Sequence, residues 1–265
     1  MGQIAVGLSS FPASIRTTTR DSWDSGRPRN PSINIDIAAS MRRRAESVQR
    51  LQAFADIPMA DCIAIISGAQ EKHYARGFTI FSGLEALDHV LFLVSGCLKL
   101  TERGPNDHEI ILRLNGPGEL AGGVLGQGRG SLNARAVQPS SALIWKSSTF
   151  QDALDRFPIL RRNVSRGLEY QLDDLDTRFR EISTEKVASR LCSLLVRLAK
   201  QVGTKTEGHT HIYLSRQELA QLTGTTLFTV SRLLCRWETQ GIVSAPREAV
   251  RIHDLPALQE LSQQE

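Results

Sequence analysis

Aromatic side chains make up only 6% of this chain, and its four cysteines stand far apart. Cys62, Cys97, Cys192 and Cys235 form no C-x-x-C pair and no cysteine–histidine cluster of zinc-finger spacing, which argues against a metal or redox centre. Disulfide frameworks belong to smaller secreted chains, so each cysteine reads as a small buried apolar residue. No apolar run approaches the roughly 18–20 residues that cross a bilayer. The first residues lack the basic-then-apolar order of a secretory signal, and a cytoplasmic protein is expected. There is no phosphate loop, no Ser-His-Asp order in a strand-turn-helix context and no metal-ligand pair on one helix. The Gly-rich stretch 116–130 lacks a following helix start. No enzyme is expected.

Charge is not extreme either. The net +4 is compatible with a polyanionic partner without demanding one. At 265 residues, 41% hydrophobic and 23% charged, the chain has room for two globular cores. Residues 1–46 mix Ser, Thr, Pro, Gly and Arg with little periodicity and read as a disordered extension; Arg42, Arg43 and Arg44 add a short basic run, read as solvated. An amphipathic pattern at Val48, Leu51, Phe54, Ile57, Met59 and Ile63 opens a domain over 47–156. From about 70 to 150 its period is that of strands: 72–83, 89–101, 109–114 and 142–146, punctuated by turns at 104–107, 116–118 and 122–130. Many short strands with such turns imply a β-sandwich or jelly roll.

A helix follows over 157–183. Leu160, Val164, Leu168, Leu172, Leu175, Phe179 and Ile182 recur every three or four residues between charged flanks. A narrow apolar seam on a long helix is commonly buried against a copy of itself, here through Leu168, Leu172, Leu175, Phe179 and Ile182; packing on its own barrel is the alternative. A second helix carries Val187, Leu191, Leu194, Leu195 and Leu198, capped by Ser183 or Thr184. Residues 203–211 read as a polar loop, and 259–265 as a tail after a domain over 184–258.

Residues 215–241 are the most informative. Ser215 and Glu218 have capping-box spacing, which satisfies free donors at a helix start. Leu219, Leu222 and the small Ala220 face inward. Gly224 stands where the chain must turn with positive φ, which a residue without Cβ adopts at least cost. Thr225 or Thr226 can cap a second helix, in which Val230, Leu233, Leu234 and Trp237 recur at helical spacing; Gly241 ends it. A small residue, a corner glycine and two apolar locks are what a helix-turn-helix packs with. An ordinary helical hairpin would not need Thr226, Thr229, Ser231, Arg232 and Arg236 on its outer face, where they suit phosphates and base edges. Residues 241–253 hold two short apolar stretches around a polar turn, as a β-wing does.

A barrel, a dimer helix and a winged helix in this order resemble the CRP/FNR family of bacterial transcription regulators, over about residues 48–258. Gly77-x-x-Ile80-Phe-x-x-Gly83 and Leu91-Phe-Leu-Val-x-x-Gly96-x-Leu98-Lys-Leu100 look like the glycine-spaced core of a cyclic-nucleotide-type β-roll. Leu214-Ser-Arg-Gln-Glu-Leu-Ala and Thr229-Val-Ser-Arg-Leu-Leu resemble the family's DNA-reading unit. The resemblance implies an α+β multidomain fold: an N-terminal cyclic-nucleotide-binding-like β jelly roll, a long dimerisation helix and a C-terminal winged helix-turn-helix. It implies a homodimer on double-stranded DNA with a palindromic operator, modulated by a small effector, with RNA polymerase a further candidate partner. Arg232 matches the arginine that reads guanine O6 and N7 with two bonds, and Ser231 the serine that assists. Arg216 and Thr226 match phosphate-holding positions. Phe228 replaces a glutamate that accepts from cytosine; its ring cannot accept, though it can pack on a thymine methyl. Leu227 stands where CRP has a second arginine. With Thr229 and Arg236 these form the expected DNA-facing set, and the operator is expected to keep the guanine but depart from CRP and FNR half-sites elsewhere.

The same resemblance suggests three sensor chemistries. Glu119 matches the glutamate that holds the ribose of cyclic AMP, and Ser131 the serine that holds its phosphate, but Gly130 stands in place of the phosphate-binding arginine. Losing that charge-assisted contact argues against cyclic AMP, and Glu119 reads better as structural, capping its loop. An FNR-type iron–sulfur cluster needs a close N-terminal group of cysteines, and none precedes Cys62. Haem stays open through His73, His89 or His108, although a lone histidine beside strands is more commonly a surface residue. The effector is left unassigned.

Overall fold

The computed structural model describes residues 31–83, 88–103, 109–122, 132–206 and 208–263, with side chains from residue 39. Eight strands make two antiparallel four-stranded sheets. One has the order β1 (Gln70–Tyr74), β8 (Ser140–Lys146), β3 (His89–Ser95), β6 (Leu120–Gly122). The other has the order β2 (Thr79–Phe81), β7 (Leu132–Ala136), β4 (Leu98–Arg103), β5 (Glu109–Asn115). Leu98 and Leu100 pair across from Ala136 and Ala134, and Leu93 across from Ala142. Setting large against small fills the interior of the roll without overpacking. Gly96 turns β3 into β4 with φ 95; a Cβ there would lie 2.2 Å from Ser140 Oγ, so no other residue fits that corner.

Helices cover the outer face of the first sheet. They are α1 (Pro31–Gln49), a 3-10 turn (Gln52–Phe54), α2 (Met59–Ser67) and α3 (Ser147–Arg156). Ala45, Val48, Phe54, Ile65 and Ile66 bury themselves against Val90, Phe92, Trp145 and Phe150. Trp145 Nε1 donates to the Ile65 carbonyl at 3.0 Å, which satisfies its buried N–H. Helix α1 corrects the disordered extension expected over 1–46: it begins at Pro31, because the Ala, Met, Arg and Glu of its second half favour helix and its Ala45–Val48 side has a core to face. Arg44 Nε meets Glu71 Oε2 at 2.6 Å, so part of the basic run is paired rather than solvated. Residues 1–30 lie outside the described residues.

The long helix α4 (Pro158–Thr184) starts with proline at its first turn, where the fixed φ suits the helix. It divides its apolar seam. Leu160 and Val164 are buried, and Leu168 is half-buried against the same core, so the first turns of the seam pack on the chain's own roll. Leu172 is 59% exposed, Phe179 74%, and Leu175 and Ile182 are also exposed. The chain bends at Glu185–Lys186 and enters α5 (Val187–Gln201). Neither Ser183 nor Thr184 caps α5: their hydroxyls bond back to the Phe179 and Arg180 carbonyls inside α4.

The C-terminal unit holds α6 (Arg216–Leu222), α7 (Leu227–Thr239), α8 (Leu255–Gln263) and a four-stranded antiparallel sheet. In that sheet β11 (Val243–Ser244) pairs with β12 (Val250–Ile252), β12 with β10 (His209–Ile212), and β10 with β9 (Thr204–Thr206). Two corrections follow. The polar loop expected over 203–211 is the β9–β10 hairpin, whose threonines suit strands despite their polarity. The tail expected at 259–265 is helical to Gln263, because Leu258 is buried and Leu261 packs on the same core. Strands β6 and β7 were not expected: β6 is three residues long, and β7, Leu-Asn-Ala-Arg-Ala, carries a single large apolar side chain.

Candidate nucleic-acid interface

The reading unit is built from local chemistry. Ser215 Oγ accepts from Glu218 N at 3.2 Å while Ser215 N donates to Glu218 Oε2 at 2.9 Å, a reciprocal box that closes the first turn of α6. Gly224 turns with φ 61, and a Cβ there would sit 3.7 Å from Ile182. Thr226 Oγ1 accepts from Thr229 N at 3.2 Å and caps α7. Leu219, Ala220, Val230, Leu234 and Trp237 are buried in one core. That core extends into the β-roll through Cys97, Ile111 and Leu114.

Packing one side of α7 leaves the other bare. Leu227, Phe228, Arg232 and Arg236 are exposed, and Thr229 and Ser231 half-buried. Phe228, Arg232 and Arg236 are spaced by four and share a face, as do Leu227 and Ser231. Arg216 is placed differently. Its Nη2 donates to the Ala245 carbonyl at 2.8 Å, and its Nε is buried without a hydrogen-bond partner among the described residues. Arg216 therefore holds the wing, and at most its remaining edge is available to a phosphate. Cys235 is exposed on α7, which corrects its reading as buried: position 235 falls on the outer side because Leu234 takes the inner one. For the other three, burial pushes the thiols up, Cys62 to about 11 and Cys97 and Cys192 to about 12, so none is a ready thiolate.

The β-roll grips this unit at points the sequence did not disclose. Lys99 Nζ on β4 meets Glu218 Oε1 at 2.8 Å. Burial pushes the Glu218 carboxyl up, but the hydrogen bonds from Lys99 and Ser215 and the Lys99 charge outweigh it, and the group lies below the usual carboxylate range. Arg76 Nη2, in the β1–β2 turn, meets Glu248 Oε2 of the wing at 2.8 Å. At the bend, the buried Arg190 guanidinium donates to the carbonyls of Glu185 at 2.7 Å, Thr223 at 3.2 Å and Ile182 at 3.4 Å. Arg197 on α5 makes a two-pronged pair with Glu181 on α4.

The expected effector residues fare differently. Glu119 Oε1 accepts from Gln201 Nε2 at 2.6 Å, and burial pushes its carboxyl up against that bond and the nearby Arg113 charge. That bond joins the roll to α5. Ser131 and His108 lie outside the described residues. His73 and His89 are both exposed. Among the described residues no three His, Cys, Asp or Glu side chains group to hold a metal ion, and no helix is long and apolar enough to cross a membrane.

Comparison with known proteins bears on both halves. The family described as a cyclic nucleotide-binding domain matches residues 71–157, and the Crp-like helix-turn-helix domain matches residues 189–261. The Cyclic AMP receptor protein of Thermus thermophilus is 29% identical over 201 residues, 74% of this chain and 90% of that protein. The CRP-like cAMP-activated global transcriptional regulator of Mycobacterium tuberculosis is 23% identical over 213 residues, 79% of this chain and 95% of that one. The crystal structure of a CRP/FNR family transcriptional regulator from Thermus thermophilus shares the fold, with TM-score 0.62 and 20% identity over 74% of this chain and 99% of that one.

Proposed function

The chain belongs to the CRP/FNR family of transcription regulators, and on that premise we propose that it acts as a homodimer on an inverted repeat of double-stranded DNA. The family consists of regulators rather than enzymes. The observation that carries the reading is the exposed face of α7, where Arg232 stands beside Ser231 and Thr229 on a helix whose opposite side is buried. A guanidinium there reaches guanine O6 and N7 in the major groove, while Thr226 and the open edge of Arg216 take phosphates. The exposed Leu172, Leu175, Phe179 and Ile182 of α4 pair with their copies.

Cyclic AMP, named in both relatives, fits poorly here. Glu119 is engaged by Gln201, and Gly130 stands where the cyclic phosphate needs a cation. We read the effector as a different small molecule that biases the bend at Glu185–Lys186 by altering the grip of the roll on α6 and the wing. The test is Arg232→Ala in the full-length chain, titrated against an operator selected from random duplexes and against its single-base-pair variants. Binding should weaken by about 1–3 kcal/mol, roughly 5–150-fold, and discrimination should vanish at one guanine per half-site. Retained discrimination at every position would contradict the assignment.

A further inference from the structure

Phe228 and Leu227 are the exposed large apolar residues of the DNA-facing helix, and neither belongs to its buried core. Phe228 is 74% exposed and Leu227 46%, while every other large apolar residue of α7 is buried. They are the first two residues of the helix, directly after the Thr226 cap, and the N-terminal turn of a recognition helix is the part that meets base edges. A phenyl ring and an isobutyl group can neither accept nor donate there. Among major-groove base edges, the apolar feature available to them is the C5 methyl of thymine.

From this we infer that Phe228, supported by Leu227, makes the protein a reader of 5-methylpyrimidines: each half-site is specified by a thymine methyl next to the guanine bound by Arg232. The spacing follows from helix geometry. Phe228 and Arg232 are four residues apart on one face, about 6 Å along the axis, which is one to two base pairs at roughly 3.4 Å per step. The chemistry recognised is the methyl group rather than the base, so 5-methylcytosine in the same place satisfies the contact as thymine does. This inference rests on the DNA-binding reading above and assigns the determinant that departs from a glutamate-bearing recognition helix.

The experiment uses the full-length chain and its selected operator. Each thymine is replaced in turn by uracil, which removes only the methyl, and then by 5-methylcytosine opposite guanine, with unmethylated cytosine opposite guanine as the matched control. One thymine per half-site, one or two base pairs from the guanine, should be sensitive. Uracil there should weaken binding about fourfold in one half-site and about fifteenfold in both, and 5-methylcytosine should bind more tightly than cytosine by a similar factor. Phe228→Ala, a change at an exposed position that leaves the core intact, should bind thymine and uracil duplexes equally. If the uracil operator is bound as tightly as the original while Arg232→Ala still erases the guanine preference, the methyl inference is overturned and the DNA-binding reading stands. If no selected duplex is preferred over random DNA, both fall together.

Discussion

Replacing Leu172 and Phe179 together by aspartate should leave a folded chain that sediments as one protomer and has lost its operator. Both side chains are more than half exposed in the single chain and lie outside its core, so the change removes little internal packing. It places like charges where two copies of α4 would meet. A dimer engages its second half-site as an intramolecular event, an advantage of about 10²–10⁴ over either site alone, and operator affinity should fall by that factor. Binding to a single half-site should stay within about twofold, because α6 and α7 are untouched. An unchanged sedimentation coefficient would remove the role given to this seam.

Part of this design can be read directly along the chain. Ser215, Glu218, Gly224 and Thr226 act on neighbours within a few residues, so spacing alone reports their caps and corner. Val230, Leu233, Leu234 and Trp237 follow because one buried side imposes a helical period. The seam of α4 was legible as a seam, but not where it divides: Leu160 and Val164 look like Leu172 and Phe179 until the roll is seen against the first pair. The Lys99–Glu218 and Arg76–Glu248 contacts join residues separated by 119 and 172 positions, and no periodicity records such pairs. Glu119 and Gln201 are a third such pair, 82 positions apart, and nothing local to either residue records the bond between them. Threonine-rich β9 and β7, with leucine its single large apolar residue, were illegible for another reason, since their apolar signal is too weak to stand apart from a loop.

The second large effect is expected at the bend. Arg190→Met should destabilise the C-terminal unit by about 3 kcal/mol, because three carbonyls lose a buried charged donor at once. At about 2–4 °C per kcal/mol for a domain assembly of this size, the melting transition should drop by roughly 6–12 °C. Methionine keeps the apolar stem as far as the position of Nε, so the loss is chiefly that of the guanidinium. The same variant should also loosen the units: Arg190 connects α5 both to the Thr223 carbonyl before Gly224 and to the Ile182 carbonyl in the last turn of α4, while the Arg197–Glu181 pair one turn earlier stays in place. Protease sensitivity at residues 184–187 should therefore rise. A melting curve like that of the unaltered chain would mean that the guanidinium contributes little at the bend.

The account depends most on two recognition helices being held at a fixed separation by one pair of long helices. It is tested most directly by sedimentation of the full-length chain with a duplex whose half-sites lie about 34 Å apart, one DNA turn, and with the same duplex lengthened between them by about half a turn. The expected result is two protomers per duplex on the first and loss of tight binding on the second, where the half-sites face opposite sides of the helix. One protomer per duplex, with equal affinity for both spacings, would contradict it.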